Sequence, residues 1–163
     1  MLSIRVQNIL TANSDILVLS ANPSLLAGSG ISGVIHKAAG PNLEAAAKPF
    51  APLEPGRSII TPAFDLPAKY IIHTVCPRYM DGQRGESEQL YNAYASALAL
   101  HDQSPEAKSI AFVSMGTGVY KWPMELAAGI AVKALSTSTF ESTLMCVVDE
   151  ATRMLYQKEV GAD

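Results

Sequence analysis

Short apolar runs rich in β-branched residues alternate along this chain with segments of helical period, and that alternation admits few folds. Residues 2–7 and 16–19 read as strands, and residues 31–39 and 43–48 read as helices. Strands follow at 58–61 and 70–75, a helix at 87–101, a strand at 109–113, a helix at 123–135, a strand at 144–148 and a closing helix at 150–157. Within 87–101, Leu90, Tyr94 and Leu98 recur every four residues, which places them on one helical face. Pro123 suits a first helical turn, where its missing N–H has no intrahelical acceptor to lose. Strands that alternate with helices in this way build an α/β sheet covered on both faces. The Pro- and Gly-punctuated stretches 49–56 and 79–85 read as loops, so one domain over residues 1–163 is expected.

Hydrophobic residues make up 48% of the chain and charged residues 17%, enough apolar content to build a core. Twelve Lys and Arg against fifteen Asp and Glu leave a net charge of −3, without the basic footprint that a phosphate backbone needs, which argues against nucleic acid as the partner. A small anion is still within reach, because backbone amides can hold one without net positive charge. Cys76 and Cys146 sit in apolar stretches with no CxxC or Cys/His spacing, so they read as buried free thiols, and neither a metal nor a cofactor is expected. Gln7, Asn8, Asn13 and Asp15 interrupt the apolar residues of the N-terminal stretch, which therefore reads as neither leader nor membrane span. A cytoplasmic enzyme or binding module is expected.

Two glycine-bearing segments carry the functional signal. In the first, residues 22–33, a buried strand leads through Gly28, Ser29 and Gly30 into a helix containing Ile31, Ser32 and His36. Glycines let a ligand approach the backbone, and amides at a helix start face it with partial positive charge. Residues 28–33 also match GxGxxG, the dinucleotide fingerprint. Here the strand is read to end nine residues before Gly28, too far for a tight strand-to-helix turn, and Glu44 and Glu54 are poorly placed to serve as the ribose-binding acid. The second segment, residues 114–120, again sets glycines between a strand and a helix. Two such turns at the carboxyl edge of one sheet could grip a diphosphate from both sides.

Several segments in register resemble the macro-domain family: 15–22 ending in Asn22, the glycine loop and helix through Pro41, 56–61, 66–75, 110–123 and the pair Asp149-Glu150. The resemblance implies a three-layer α/β/α sandwich with a mixed, mostly parallel sheet. It also implies a cleft for ADP-ribose, free or carried by a modified protein or metabolite. By the same resemblance Gly28, Ser29, Gly30 and Ile31 line one side of the diphosphate and distal ribose, and Gly116, Thr117, Gly118, Val119 and Tyr120 close from the other. Asn22 falls where the family holds the distal ribose, and Asn8 and Ile9 fall where it contacts adenine.

The departures from the family pattern bear on activity. Asn8 stands where an Asp accepts from the adenine amine, so charge assistance is lost and affinity should fall by about 1 kcal/mol. Leu19 replaces a motif Asn, and Val148 lies near the place of an aromatic under the base. Ser32 replaces an Asp that helps orient water in hydrolase members. Asn22 and His36 remain as candidate catalytic residues, with a packing role weighed against catalysis for His36. The expected activity is hydrolysis of ADP-ribose esters by water that the substrate itself assists, with a non-catalytic ADP-ribose reader as the alternative.

Overall fold

Every residue from Ile16 to Leu19 is apolar and buried, so the strand containing them must be covered on both faces. The computed structural model, which describes residues 1–28, 30–116 and 120–161, covers it with helices on each side. Six strands, β1 (Leu2–Val6), β2 (Ile16–Ala21), β3 (Ser58–Pro62), β4 (Tyr70–Val75), β5 (Ser109–Val113) and β6 (Ser142–Val147), form one sheet in the order β1-β6-β5-β2-β4-β3. All neighbours are parallel except β3 and β4. Residues 63–69 link those two strands directly, and so short a link returns the chain antiparallel, with Pro62 on the edge strand where its missing N–H is tolerated. The sheet is therefore mixed and mostly parallel.

Successive side chains of the central strands enter different cores. Ile16 and Val18 of β2, Ile72 of β4, Phe112 of β5 and Met145 of β6 pack against α3 (Glu86–Ala99), α4 (Met124–Leu135) and α5 (Glu150–Val160). Leu17, Leu19, Ile71, Ala111 and Leu144 point the other way, onto α1 (Gly30–Ala39) and α2 (Asn42–Ala47). Three layers result. The helical face read from Leu90, Tyr94 and Leu98 is the buried face of α3.

Two boundaries and the setting of one histidine differ from the sequence expectation. β2 continues to Ala21 because its pairing with β4 extends to Ala21↔Val75. The 87–101 segment ends as α-helix at Ala99 and tightens into a 3₁₀ turn, Leu100–Gln103. His101 in that turn is half-buried: its ring stacks on Phe140 at 3.7 Å, Nδ1 lies 2.7 Å from Thr139 Oγ1, and Nε2 lies 2.9 Å from the Ala107 carbonyl. It ties α3 to the entry of β6, although a histidine at the end of a helix, read from sequence alone, suits a solvent-facing position.

Tyr94 links this scaffold to the carboxyl edge of the sheet. Its side chain is fully buried, and the Met115 backbone N–H donates to its hydroxyl at 2.9 Å. Burial pushes the phenol well above its ordinary value, so it stays protonated. Tyr94 also hydrogen-bonds Tyr156, whose hydroxyl meets Ser114 Oγ. This chain holds the segment after β5 to α3 and α5. Replacing Tyr94 with Phe leaves the buried Met115 N–H without its acceptor and should cost about 1–3 kcal/mol, read as a lower denaturation midpoint with an unchanged m-value.

Candidate functional site

The five parallel strands end on one edge, and the sheet opens there between two of them. β2 pairs with β5 only at Ile16↔Ile110 and Leu17↔Ala111, whereas its ladder to β4 runs the full length of the strand. From this point β2 leads to α1 on one face, while β5 leads to α4 on the other. Neighbouring strands whose connections leave toward opposite faces create a crevice above their carboxyl ends, the usual ligand position in open α/β sheets.

A hollow of about 440 Å³ occupies the crevice. Ser20, Ala21 and Asn22 line it from the end of β2, Gly28, Gly30, Ile31 and Ser32 from the start of α1, and Val113, Ser114, Gly116 and Tyr120 from the other side. The structure thus gathers seven of the sequence candidates, Asn22, Gly28, Gly30, Ile31, Ser32, Gly116 and Tyr120, around one space. Ser29, Thr117, Gly118 and Val119 lie outside the described residues. The first amides of α1 have no intrahelical acceptor and carry the positive end of the helix dipole. Two glycines are dictated by close approach. A Cβ on Gly33 would lie 2.3 Å from the Gly28 carbonyl oxygen, and one on Gly116, at φ +86°, would lie 2.5 Å from Trp122 Cδ1.

Asn22 braces the first turn from within. Its Oδ1 accepts from Ser24 Oγ at 2.9 Å and from the Leu26 N–H at 3.3 Å, while Nδ2 donates to the Leu26 carbonyl at 2.9 Å. One N–H of its amide remains for a ligand. The Ala27 N–H donates to Glu44 Oε1 at 2.7 Å, which fastens the same turn to α2. Ser32 lines the hollow, and its buried Oγ has no partner among the described residues.

His36 stands apart from the cleft. It faces a separate hollow of about 230 Å³ behind the glycine turn, and its ring meets His73 edge-on at 6.1 Å. Burial lowers its pKa while Glu44 opposes the shift. His73 is fully buried beside Thr61 Oγ1, and burial, with the His36 charge, brings it down to about 3. The placement of His36 follows from helix period: four residues after Ser32, it turns inward beneath the first helical turn. The described residues give it no contact with the cleft.

The first hollow shares Ile31, Val113 and Ser114 with a second beside it, of about 580 Å³. Here Val6, Ile9, Met124 and Val147 supply apolar walls, and Asn8 stands at the rim. Ile9 is almost wholly buried in the core, so it forms floor, whereas Val148 is 87% exposed and covers little. Cys146 contributes a thiol that burial pushes up to about 11, despite Arg5, so it is no nucleophile near neutrality.

The wall around Tyr120 depends on Trp122, in a packing role, and on Pro77, Arg78 and Tyr79, which the sequence did not single out. The Tyr79 N–H donates to the Tyr120 carbonyl at 3.0 Å, Trp122 Nε1 donates to the Pro77 carbonyl at 2.9 Å, and the Arg78 guanidinium lies 5.7 Å from the Tyr120 ring centroid. Glu86 organises the loop that follows Tyr79. Its carboxylate accepts from the N–H groups of Met80, Asp81, Gly82 and Arg84 at 2.7–3.1 Å. An acid after Gly85 at a helix start was the available signal, but the four donors converge only in the fold.

The Macro domain family profile matches residues 18–131 of this chain. A "Macro domain-containing protein" of Lactiplantibacillus plantarum is 38% identical over 154 residues, covering 91% of this chain and 89% of that protein. A Klebsiella pneumoniae protein named O-acetyl-ADP-ribose deacetylase is 41% identical over 160 residues, covering 93% and 91%. Among solved structures, the Oceanobacillus iheyensis macrodomain with ADP superposes with a TM-score of 0.89 at 34% identity, covering 98% of this chain and 90% of that one. Fold and cleft define a three-layer α/β/α protein with a ligand crevice at the carboxyl edge of its sheet. The chain belongs to the macro-domain family.

Although burial raises the Glu86 pKa, its four backbone donors bring it down to about 2 from an ordinary 4.5. A folded-state pKa below the unfolded one contributes stability that is present above 4.5 and lost as pH falls toward 2. Glu86→Ala should therefore lower the melting temperature at neutral pH. Calorimetric scans should show its difference from the parent narrowing between pH 4.5 and about 2; a constant difference would detach the effect from ionisation.

Proposed function

We propose that the cleft binds ADP-ribose or a close derivative. The observation that carries this reading is the adjacency of the two hollows: a space flanked by two glycine-bearing turns shares Ile31, Val113 and Ser114 with a mostly apolar one. A nucleotide diphosphate sugar has the matching sequence of parts. Its base fills the apolar hollow, its diphosphate crosses the start of α1, and its distal ribose lies between Asn22 and Tyr120. The relative solved with ADP and the relatives named for O-acetyl-ADP-ribose support the same class of ligand.

Hydrolysis of an ADP-ribose ester, either a small metabolite or a conjugate on a protein side chain, is the activity that fits. Among the described lining residues of both hollows there is no Asp, Glu or His. A protein base is therefore missing from the described wall, and a phosphate oxygen of the substrate is the group left to take a proton from the attacking water. Water adds to the ester carbonyl, the acyl C–O bond breaks, the phosphate passes its proton to the departing ribose oxygen, and ADP-ribose leaves with the carboxylic acid. The chain contributes orientation: Asn22 positions the distal ribose, and the turns fix the diphosphate. Orientation of this kind can lower a barrier by several kcal/mol. The same bare wall favours, as a second reading, a module that binds ADP-ribosylated partners without turnover.

Calorimetric titration should show ADP-ribose bound at least about tenfold more tightly than NAD, whose nicotinamide crowds the distal ribose. Preference for NAD, or no binding of either, would sink the proposal. A release assay on O-acetyl-ADP-ribose then separates hydrolase from reader. Ser32→Asp puts a carboxylate where the wall lacks one and should raise turnover by about tenfold or more, since a positioned base contributes roughly 10²–10⁴. A protein inactive both before and after that change would be the reader.

A further inference from the structure

We infer that Asn8 turns the base hollow toward a purine bearing a carbonyl at C6, such as hypoxanthine or guanine; the inference rests on the nucleotide reading of the cleft for where a base sits. The orientation of the Asn8 amide is dictated by chemistry. Its Oδ1 accepts from the Leu10 backbone N–H at 3.0 Å and caps the 3₁₀ turn Ile9–Thr11. A backbone N–H can only donate, so the oxygen must face it; turning the amide over would set Nδ2 against Leu10, donor against donor. The half of the amide left unpaired is therefore Nδ2, whose hydrogens have no acceptor among the described residues, and Asn8 lines the hollow.

No other side chain on this wall supplies the same function. Val6, Ile9, Met124 and Val147 are apolar. The hydroxyls of Ser114 and Thr152 are engaged with Tyr156 and Asp149. Gln7 spends its Nε2 on the Thr11 carbonyl and hydroxyl, at 2.9 and 3.1 Å. Its Oε1 remains an acceptor that would serve an exocyclic amine or a ring N–H equally, so it does not discriminate. Discrimination falls to Asn8, which offers N–H to a base edge. Adenine carries an amine at C6 and presents a donor; hypoxanthine and guanine carry O6 and present an acceptor. An Asp here would keep the Leu10 cap with one oxygen and show the other to the amine. The carboxamide keeps the cap and reverses the polarity of what is shown.

The test compares ADP-ribose with inosine diphosphate ribose by calorimetry, on the parent protein and on Asn8→Asp. The parent should bind the inosine form at least as tightly as ADP-ribose. Asn8→Asp, which retains the cap acceptor, should move the ratio about tenfold toward ADP-ribose, the scale of one gained charge-assisted hydrogen bond. A parent preference for ADP-ribose, or a ratio unmoved by Asn8→Asp, overturns the inference while leaving the cleft assignment standing. Failure of the parent to bind either ligand overturns the cleft assignment and this inference with it.

Discussion

The break in the ladder between β2 and β5 is the constraint on which the cleft depends. Above Leu17 and Ala111 these two neighbours share no further register pairs, and their continuations pass to opposite faces of the sheet. Had β5 stayed paired along β2 as β4 does, the space above their ends would be closed by backbone. Each turn beside the gap is then fastened by a partner remote in sequence. Glu44 on α2 holds Ala27 of the first, and Tyr94 on α3 holds Met115 at the root of the second. The crevice is a consequence of topology, and its shape is fixed by hydrogen bonds at its base, one buried and one partly buried.

This arrangement explains how a protein of net charge −3 can offer a seat to an anion. The described lining of the hollow beside α1 includes no Lys or Arg. In the proposed binding mode the attraction comes instead from amides that the helix start leaves without intrahelical acceptors. Such donors are already ordered by the fold, so little side-chain freedom is lost when they engage a ligand. The requirement is steric: Gly33 against the Gly28 carbonyl and Gly116 against Trp122 both leave no room for a Cβ.

Patterns with local causes were legible in the sequence. The strands at 70–75 and 109–113 are where apolar periodicity places them, and the Leu90–Tyr94–Leu98 face is buried as its spacing requires. The glycine turns were visible for the same reason, since glycine marks a backbone demand at its own position. Features set by distant partners were not. His101 has the local signature of an exposed helix end, yet Phe140, Thr139 and Ala107 enclose it. His36 sits close in sequence to the glycine turn, but helix period carries its ring under the turn and away from the cleft. Glu86 and Tyr94 gained their roles from donors that only the folded chain brings to them. Asn22 was identified as a cleft residue, but its bonds to Ser24 and Leu26 could not be foreseen from its type.

The composition of the cleft wall determines what kind of selectivity it can have. Its described side chains are apolar groups, hydroxyls, carboxamides and one thiol whose pKa burial raises to about 11. The nearby imidazoles lie elsewhere, with His73 held neutral near pH 7 by a pKa of about 3. A wall without carboxylate or imidazole cannot sort ligands by opposing their charge. It sorts them by shape and by whether each fixed group donates or accepts. In that setting the exchange of one acceptor for one donor, with no change in size, is enough to alter which base is preferred, because the N–H shown by Asn8 has no charged neighbour on the described wall to outweigh it.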